Sequence, residues 1–466
     1  MIQGTSSSAG KSLLAAALCR HFARRGVRVA PFKAQNMSNN ARVVEGGEIG
    51  AAQYLQALAA GVVPEVRMNP VLLKPEADDR SQVVVMGRVD RDLSRRPWRG
   101  RAPSYWPVVE EALLSLGAEH DLLVIEGAGS PAEINLREWD VANMRVALRV
   151  GAPVVLVSDI DRGGAFAHLY GTWALLPPQE RALLRGFVLN KFRGDPSLLS
   201  PAPERVAATT GMAALGVLPW TAHGLPDEDG ATLGVPGGPP RRRSVAVVRY
   251  PTASNLDELK RLEQVARVTW ATAPRDVEGA DLAILPGSKH VAADLAWLRA
   301  TGVAGAVVAR AGRGAPVLGI CGGLQMLGER LEDPAGVDGA GEGLGLLPLV
   351  TTFAGEKLTR PVETRFLRLD GPWAPLSGIP VRGYEIRHGR TRATGEVRRA
   401  IPGDLGFVAG PVLGVTLHGL LESASVLTAL FGAGPAHDLG ATFDLLADAV
   451  AAHLDVGAIE RLAGVA

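Results

Sequence analysis

The segment Gly4–Ser12, which reads GTSSSAGKS, constrains the fold of this chain more than any other, because it leads straight into a helical pattern starting at Leu13. Small residues let successive backbone N–H groups turn toward one anion, and the helix N-terminus adds partial positive charge. The segment therefore predicts a phosphate-binding loop with a backbone cradle at Gly4, Thr5 and Gly10. Lys11 would contact the β- and γ-phosphates of a nucleotide, and the Ser12 hydroxyl would ligate Mg²⁺. Five residues separate the two glycines, one more than usual.

Magnesium at such a loop also needs a carboxylate. Glu126 follows the aliphatic run Leu122–Ile125, at the strand end where open α/β sheets bind ligands. Glu48, within the sequence GGEIG, is a second candidate metal ligand. The alternatives are an acid that only caps a glycine turn for Glu126, and a solvated loop acid for Glu48.

A second chemical motif is the segment GICGGLQ, residues 319–325, between an aliphatic run and a helical pattern. Glycines at a strand-to-helix turn lift a nucleophile out of the sheet, and the helix N-terminus favours a thiolate. This pattern predicts that Cys321 is a nucleophile and that His418, at the end of another predicted strand, is its base. Backbone N–H groups at Gly287 and Gly322 would form an oxyanion hole. A buried structural cysteine is the alternative, and we adopt it for Cys19.

Short aliphatic runs alternate with helical patterns along most of the chain, which is typical of parallel sheets covered by helices on both faces. The predicted fold is α/β, with two domains that each contain a mostly parallel sheet. We predict a first domain over 1–225, a Pro- and Gly-rich linker over 226–243 and a second domain over 244–440. A helical stretch over 441–466 is expected to pack on the second domain. The predicted strands and helices are 27–31, 122–125, 154–157, 186–189, 245–248, 282–285, 317–320 and 412–417 (strands), and 13–25, 105–116, 324–331 and 441–454 (helices).

Composition narrows the functional classes. The 466 residues hold 49 Lys+Arg and 48 Asp+Glu, a net charge of +1, so no global attraction to nucleic acid or to an anionic membrane is expected. Two cysteines make no disulfide framework, and no apolar run is long enough to span a membrane. Without a signal-peptide pattern, we expect a cytoplasmic protein with small-molecule substrates, for which an oligomer is possible.

Ten segments in one order resemble the cobyric acid synthase family, over almost the whole chain. The resemblance rests on QGTSSSAGKS (3–12), APFKAQNMSNN (30–40), GGEIGAAQ (46–53), MNPVLLKP (68–75), EGAGSPAEINL (126–136), SDIDRGGAF (158–166), LNKFRGD (189–195), LPGSKH (285–290), GICGGLQMLG (319–328) and GYEIRHGR (383–390). The first half is similar to the dethiobiotin synthetase type of P-loop fold, which has the same longer loop. The second half resembles a class I glutamine amidotransferase.

The resemblance implies an ATP-dependent ligase that takes nitrogen from glutamine. Its expected reaction is amidation of the b, d, e and g carboxylates of adenosylcobyrinic acid a,c-diamide in cobalamin biosynthesis, with ATP and Mg²⁺. It also implies roles for further residues. Lys33, Gln35 and Asn36 would lie near the transferred phosphate and the substrate carboxylate, Asp159 and Asp161 would hold metal or water, and Asn190 and Lys191 would contact the nucleotide base.

One position departs from the family pattern. Many class I amidotransferases orient the catalytic histidine with a Glu two residues later, but residue 420 is Leu. Glu422 is nearby in sequence only, so we expect a Cys321–His418 dyad.

Three hypotheses stay open at this point. The segment Arg88–Arg101 contains six arginines and two aspartates, and is either a site for a polycarboxylate corrin or a solvated charged loop. The chain is alternatively another amidating ligase of the same build, such as cobyrinic acid a,c-diamide synthase or the amidase of a peptidoglycan lipid. The third hypothesis is that the chain is a partition-type ATPase switch, a class of protein that would not need Cys321 or His418.

Overall fold

The computed structural model describes residues 1–77, 80–221, 225, 243–434 and 438–465. The predicted linker, 226–243, therefore lies outside the described residues except for its last residue. On either side of it the chain forms two α/β units, as the sequence predicts.

The first unit contains twelve described strands and eight described α-helices. The strands are β1 (Ile2–Gly4), β2 (Val29–Phe32), β3 (Gln35–Met37), β4 (Ala41–Val44), β5 (Gly47–Gly50), β6 (Val71–Ala77), β7 (Arg80–Val85), β8 (Arg88–Asp90), β9 (Leu122–Ile125), β10 (Val154–Asp159), β11 (Leu184–Phe192) and β12 (Ala213–Pro219). The helices are α1 (Lys11–Arg24), α2 (Ala51–Ala60), α3 (Arg91–Arg95), α4 (Ala102–Glu119), α5 (Met144–Val150), α6 (Ala165–Leu175), α7 (Pro178–Arg181) and α8 (Ala202–Thr210).

The main sheet of this unit is parallel. Strands β1, β10, β11 and β12 are neighbours in that order. A bridge between Ile2 and Glu126 places the parallel pair β9–β2 beside β1. Because the strands are parallel, their carboxyl ends share one edge, and the phosphate loop, Glu126 and Asp159 all lie there. A smaller mixed sheet, β3-β6-β7-β8, and the antiparallel hairpin β4–β5 complete the unit.

The second unit has thirteen described strands. They are β13 (Ser244–Val248), β14 (Ala253–Ser254), β15 (Arg267–Ala271), β16 (Leu282–Leu285), β17 (Gly287–Ser288), β18 (Val317–Ile320), β19 (Arg330–Glu332), β20 (Gly341–Glu342), β21 (Leu349–Arg365), β22 (Pro380–Ala393), β23 (Arg398–Ile401), β24 (Gly406–Ala409) and β25 (Val412–Val415). Its described helices are α9 (Pro274–Glu278), α10 (Val291–Ala300), α11 (Val303–Gly312), α12 (Gly322–Leu327) and α13 (Ala424–Phe431). Two C-terminal helices, α14 (Leu439–His453) and α15 (Val456–Ala463), follow in the chain.

The central sheet here has the order β15-β13-β16-β18-β25-β24-β23. Its first five strands are parallel, and β24 and β23 extend it in antiparallel fashion. Apolar clusters cover both faces, so the predicted fold class is confirmed. A separate four-stranded sheet, β20-β19-β21-β22, contains the long antiparallel arm β21–β22, which contacts β4 of the first unit.

The C-terminal helices do not pack where the sequence was expected to place them. The apolar side chains Phe443, Leu446 and Val450 of α14 are buried in one cluster with α1, within the first unit. Arg20 of α1 forms two hydrogen bonds to Asp444, at 2.8 and 2.9 Å. An amphipathic helix needs only an uncovered apolar face, and α1 supplies one although it is distant in sequence.

Two further expectations differ from the structure. The helix expected over 324–331 ends at Leu327, because the next residues change direction and Arg330–Glu332 pairs with β21. No single helix among the described residues is long and apolar enough to cross a membrane. The consecutive helices α10 and α11 pass that test together by length and composition, with an 85° bend between them.

Candidate functional site

The phosphate loop between β1 and α1 is held by specific contacts. Lys11 Nζ donates hydrogen bonds to the carbonyls of Ser6 and Gly129, both at 3.1 Å. Gly10 has a φ of +100°, and a Cβ at this position would lie 2.0 Å from Asn190 Nδ2. Only glycine fits there. Since Gly10 is the N-cap of α1, the first N–H groups of the helix face the loop, which is the arrangement that binds phosphate.

Glu126 lies at the centre of a buried polar cluster next to this loop. Its side chain is fully buried and accepts hydrogen bonds from Ser12 Oγ at 2.8 Å and from Lys33 Nζ at 2.9 Å. Two amides of α2, Gln56 at 2.5 Å and Gln53 at 3.5 Å, contact its other oxygen. A buried carboxylate is tolerated only with such partners. The two glutamines were missed by sequence reasoning, although their spacing of three residues places them on one helix face.

Other predicted positions surround the same loop. Asn190 Nδ2 donates to a carbonyl of the loop at 2.9 Å, and Lys191 Nζ donates to another at 2.7 Å. Lys191 also pairs with Asp159 at 3.0 Å. Thr5 Oγ1 lies 3.0 Å from the hydroxyl of the serine that precedes Asp159. Asp161 lies at the rim and pairs with an arginine at 3.1 Å.

Asn36 is one step further from Glu126. Its buried side chain donates to Gln53 Oε1 at 3.0 Å, and Gln53 in turn contacts Glu126. Gln35 precedes it on β3 and is half-buried. Asn36 is therefore connected to the Glu126 cluster through one amide.

Glu48 is the predicted metal ligand that the structure places elsewhere. Its carboxylate lies between Lys74, at 2.9 Å, and Lys357 of the second unit rather than on Ser12. Burial favours the neutral acid, but the two ammonium groups outweigh it and lower the pKa of Glu48 to about 2. Burial lowers the pKa of Lys357 to about 7 against the opposing charge of Glu48. Glu48 thus joins the two units electrostatically.

Cys321 occupies the tight turn between β18 and α12. Its φ is +51°, an uncommon conformation for a residue with a side chain. A Cβ on Gly323 would lie 1.9 Å from the Leu285 carbonyl, so glycine is required there. The sulfur faces a cleft and lies 4.0 Å from the Ile386 carbonyl. The turn presents the thiol as the sequence motif predicts.

His418 lines the same cleft as Cys321 and is hydrogen-bonded to Glu258. Its Nδ1 lies 2.7 Å from Glu258 Oε1, and the Gly419 N–H donates to Glu258 Oε2 at 2.8 Å. Burial alone would lower the pKa of His418, but the charges of Cys321 and Glu258 outweigh it and raise that pKa to about 10. The neighbouring carboxylate therefore favours the protonated form of the ring.

The sequence names no acid partner for His418, and the structure places Glu258 in that position. It belongs to a 3₁₀-helix, Leu256–Gln264, and is 160 residues from His418 in sequence. No sequence motif around Glu258 predicts its contact with His418, which is a result of the fold. Glu422, the acid near His418 in sequence, contacts Arg42 of the first unit instead.

The residues predicted for an oxyanion hole lie at the same turn. A Cβ on Gly322 would lie 2.6 Å from the backbone nitrogen of Ser288, and one on Gly287 would lie 2.8 Å from His418 Cε1. The backbones of β17 and of the start of α12 therefore meet beside Cys321 and His418.

A narrow cleft contains both Cys321 and His418. Most of its lining comes from the second unit, including Lys357 and His388, but Lys74 comes from the first. The thiol site therefore opens at the boundary between the two units.

In the arginine-rich segment Arg88–Arg101, some side chains contact other parts of the protein and others are exposed. Arg91 donates to the Gly355 carbonyl of the second unit, and Arg101 is buried with hydrogen bonds to Ser81 and to two backbone carbonyls. The side chains at 95, 96 and 99 are exposed.

Taken together, these features define a class of protein with a nucleotide-binding P-loop domain and a glutamine amidotransferase domain. Residues 1–227 match the family described as a CobQ/CobB/MinD/ParA nucleotide binding domain. Residues 244–426 match the family described as a CobB/CobQ-like glutamine amidotransferase domain.

Full-length relatives narrow the class further. The cobyric acid synthase of Variovorax paradoxus (strain S110) is 58% identical, over 99% of this chain and 98% of the relative. That of Acidovorax sp. (strain JS42) is 56% identical, over 99% and 97%. That of Paracidovorax citrulli (strain AAC00-1) is 59% identical, over 97% and 96%. The chain belongs to the cobyric acid synthase family, and it is an ATP-dependent ligase with a glutamine amidotransferase domain.

Proposed function

We propose that this enzyme amidates the b, d, e and g carboxylates of adenosylcobyrinic acid a,c-diamide, with glutamine as nitrogen donor and ATP as activator. One observation carries the proposal. A single chain combines a Cys321–His418–Glu258 triad in one domain with a phosphate loop and a buried carboxylate in the other. The names of the relatives support the acceptor.

The second domain releases ammonia. The Cys321 thiolate attacks the side-chain amide carbon of glutamine, and the developing oxyanion takes backbone N–H groups at Gly287 and Gly322. The His418 imidazolium gives its proton to the leaving nitrogen, so ammonia departs and a thioester remains. Water, deprotonated by His418, then hydrolyses the thioester to glutamate and restores the thiol. Glu258 holds the ring in the orientation that both steps need.

The first domain activates the acceptor. An oxygen of the corrin carboxylate attacks the γ-phosphorus of ATP, ADP leaves, and an acyl phosphate forms. Ammonia attacks the acyl carbon, inorganic phosphate leaves, and one proton is lost as the amide forms. Lys11 and Lys33 would neutralise phosphate charge, and Asn190 and Lys191 would contact the base. Gln35, Asn36, Asp159 and Asp161 would orient the acceptor and water.

The donor set beside the loop fits magnesium. Ser12 Oγ and the Glu126 carboxylate are hard oxygen ligands 2.8 Å apart, and Mg²⁺ in such sites takes few protein ligands together with phosphates and water. When bound, the ion would supply positive charge that neutralises the phosphates of the nucleotide. Glu48 would need to leave Lys74 and Lys357 to join it, so we assign the site to Ser12 and Glu126.

Ammonia would leave the thiol cleft on its Lys74 side, since this residue belongs to the domain that must receive it. A sheltered route favours neutral ammonia, because in water at neutral pH most of it becomes ammonium. Positive charges along the cleft also disfavour entry of ammonium.

The exposed arginines Arg95, Arg96 and Arg99 suit an acceptor that carries several carboxylates. Replacing all three with Ser should raise the KM for the corrin and leave glutamine hydrolysis intact. An unchanged KM would remove these residues from the acceptor site.

A paired experiment tests the proposed function. Cys321→Ala should abolish glutamine-dependent amidation and retain ammonia-dependent amidation at raised pH, whereas Lys11→Ala should lose both. Full glutamine-dependent turnover in Cys321→Ala would exclude the assigned nucleophile. The same assay with cobyrinic acid, its a,c-diamide and a peptidoglycan lipid as acceptors distinguishes this proposal from its sister ligases.

A further inference from the structure

Arg42 reaches from the ATP-binding domain into the glutaminase domain. It belongs to β4, yet its side chain is only 5% exposed and ends among acidic residues of the other domain. The guanidinium lies 2.5 Å from Asp257, and it also contacts Glu422 and the Tyr384 hydroxyl. Asp257 is 1% exposed, so this ion pair is buried at the domain boundary.

Two of these partners adjoin the catalytic triad. Asp257 immediately precedes Glu258, the carboxylate that holds His418. The Tyr384 ring stacks on the His418 ring with centroids 5.5 Å apart. Tyr384 and His418 also exchange backbone hydrogen bonds, at 2.8 and 3.1 Å. Arg42 therefore contacts the residue that precedes Glu258 and the residue whose ring stacks on His418.

Strand β4 and the residue before it, Asn40, anchor the segment that carries Glu258. Asn255 Nδ2 donates to the Ala41 carbonyl and to the Tyr384 hydroxyl, both at 2.8 Å. The Leu256 N–H donates to Asn40 Oδ1 at 3.0 Å. The 3₁₀-helix bearing Glu258 thus begins on hydrogen bonds supplied by the ATP-binding domain.

The chain that continues from β4 also contacts the phosphate site. Strand β4 pairs with β5, and α2 starts immediately after β5. Gln53 and Gln56 of α2 bind Glu126, beside Ser12. One continuous segment, 41–60, therefore contacts both active sites.

We propose that Arg42 is a positioning residue for the glutaminase triad, so that the full rate of glutamine hydrolysis depends on the docked ATP-binding domain. The inference rests on the proposed function of Cys321 and His418. Without the guanidinium, Asp257 and Glu422 lose the cation that holds them together, and Tyr384 loses a hydrogen-bond donor. Burial raises the pKa of Asp257 to about 6 while Arg42 opposes that rise, so the neighbouring charge also changes when Arg42 is removed.

The test uses full-length Arg42→Met and Arg42→Lys, with Arg91→Met as the matched control. Arg91 is also an arginine of the first domain, and it donates to a carbonyl of the second domain at Gly355. Arg42→Met should lower kcat for glutamine hydrolysis about tenfold or more, with KM for glutamine within about twofold and ammonia-dependent amidation retained. Arg42→Lys should recover part of the rate, and Arg91→Met should keep it.

Each other outcome overturns the inference. A kcat within about twofold of wild type in Arg42→Met excludes a positioning role. An equal loss in Arg42→Met and Arg91→Met means that any break in the domain contact has the same effect. Loss of ammonia-dependent amidation together with glutaminase makes Arg42 a residue of general stability. Retained glutaminase in Cys321→Ala would instead contradict the underlying function, so the two failures are distinguishable.

Discussion

Replacing Glu258 with Gln tests the proposed Cys321–His418–Glu258 triad with a side chain of nearly the same shape. Both carboxylate oxygens of Glu258 act as acceptors, one for His418 Nδ1 at 2.7 Å and one for the Gly419 N–H at 2.8 Å. Gln has one oxygen and one NH₂ group, so one of these two donors must lose its acceptor. Either the His418 ring rotates or changes tautomer, or the backbone after His418 shifts.

The size of the effect follows from these contacts. A hydrogen bond to a charged group contributes about 1.5–3 kcal/mol, and each 1.4 kcal/mol is about a factor of ten. Because Glu258 and His418 are both 1% exposed, water cannot replace the lost partner. We therefore expect Glu258→Gln to lower kcat for glutamine hydrolysis by about 10- to 100-fold.

The assay follows glutamate release at saturating glutamine, with ammonia-dependent amidation as the measure of an intact ATP-binding domain. Glu263→Gln is the matched control, since Glu263 lies on the same 3₁₀-helix and pairs only locally, with Lys260 at 2.8 Å. It should retain wild-type turnover. Wild-type turnover in Glu258→Gln as well would refute the assignment of Glu258.

Three other predictions concern the fold and the phosphate loop. Phe443→Ala should destabilise the ATP-binding domain by about 3–5 kcal/mol, because this 2% exposed side chain fills the core beside α1. In thermal unfolding with two transitions, only the Tm of the ATP-protected domain should fall. A lower Tm confined to the glutaminase domain would contradict this prediction. Gly10→Ala should abolish ATP-dependent amidation and spare glutamine hydrolysis, since both its φ of +100° and Asn190 exclude a Cβ; unchanged ATP binding measured by calorimetry would contradict this. For Glu48, whose pKa falls from 4.5 to about 2, the stabilising charge is fully present above pH 4.5 and is lost as the pH drops toward 2. The difference in Tm between wild type and Glu48→Gln should therefore shrink below pH 4.5, and a constant difference down to pH 3.5 would count against the ion pair.

Much of the two sheets was predictable, because buried parallel strands appear as short aliphatic runs. Strands 122–125, 282–285 and 317–320 coincide with the observed β9, β16 and β18. Both chemical loops were also predictable, since a phosphate loop and a thiol turn require glycines at particular positions. Local sequence determines these features, and the structure places them at strand ends.

The remaining features depend on contacts between distant segments. Glu258 reaches His418 only because the 3₁₀-helix at 256–264 docks beside the end of β25. Glu48 is a short loop acid in sequence, and its partner Lys357 comes from the β21–β22 arm of the other domain. The docking of α14 on α1 likewise depends on contact between segments that are distant in sequence. Periodicity shows that a face is apolar, but it does not identify what covers that face.

In the proposed mechanism, nitrogen freed at Cys321 is the nitrogen incorporated at the ATP-binding domain. The most direct measurement gives the wild-type enzyme amide-¹⁵N glutamine, ATP and the corrin diamide together with excess unlabelled ammonium at neutral pH, and determines the isotope content of each new amide by mass spectrometry. We expect new amides that carry ¹⁵N with little dilution, and no ¹⁵N from glutamine in Cys321→Ala. Amides that match the isotope content of the bulk ammonium, or labelled product from Cys321→Ala, would contradict it.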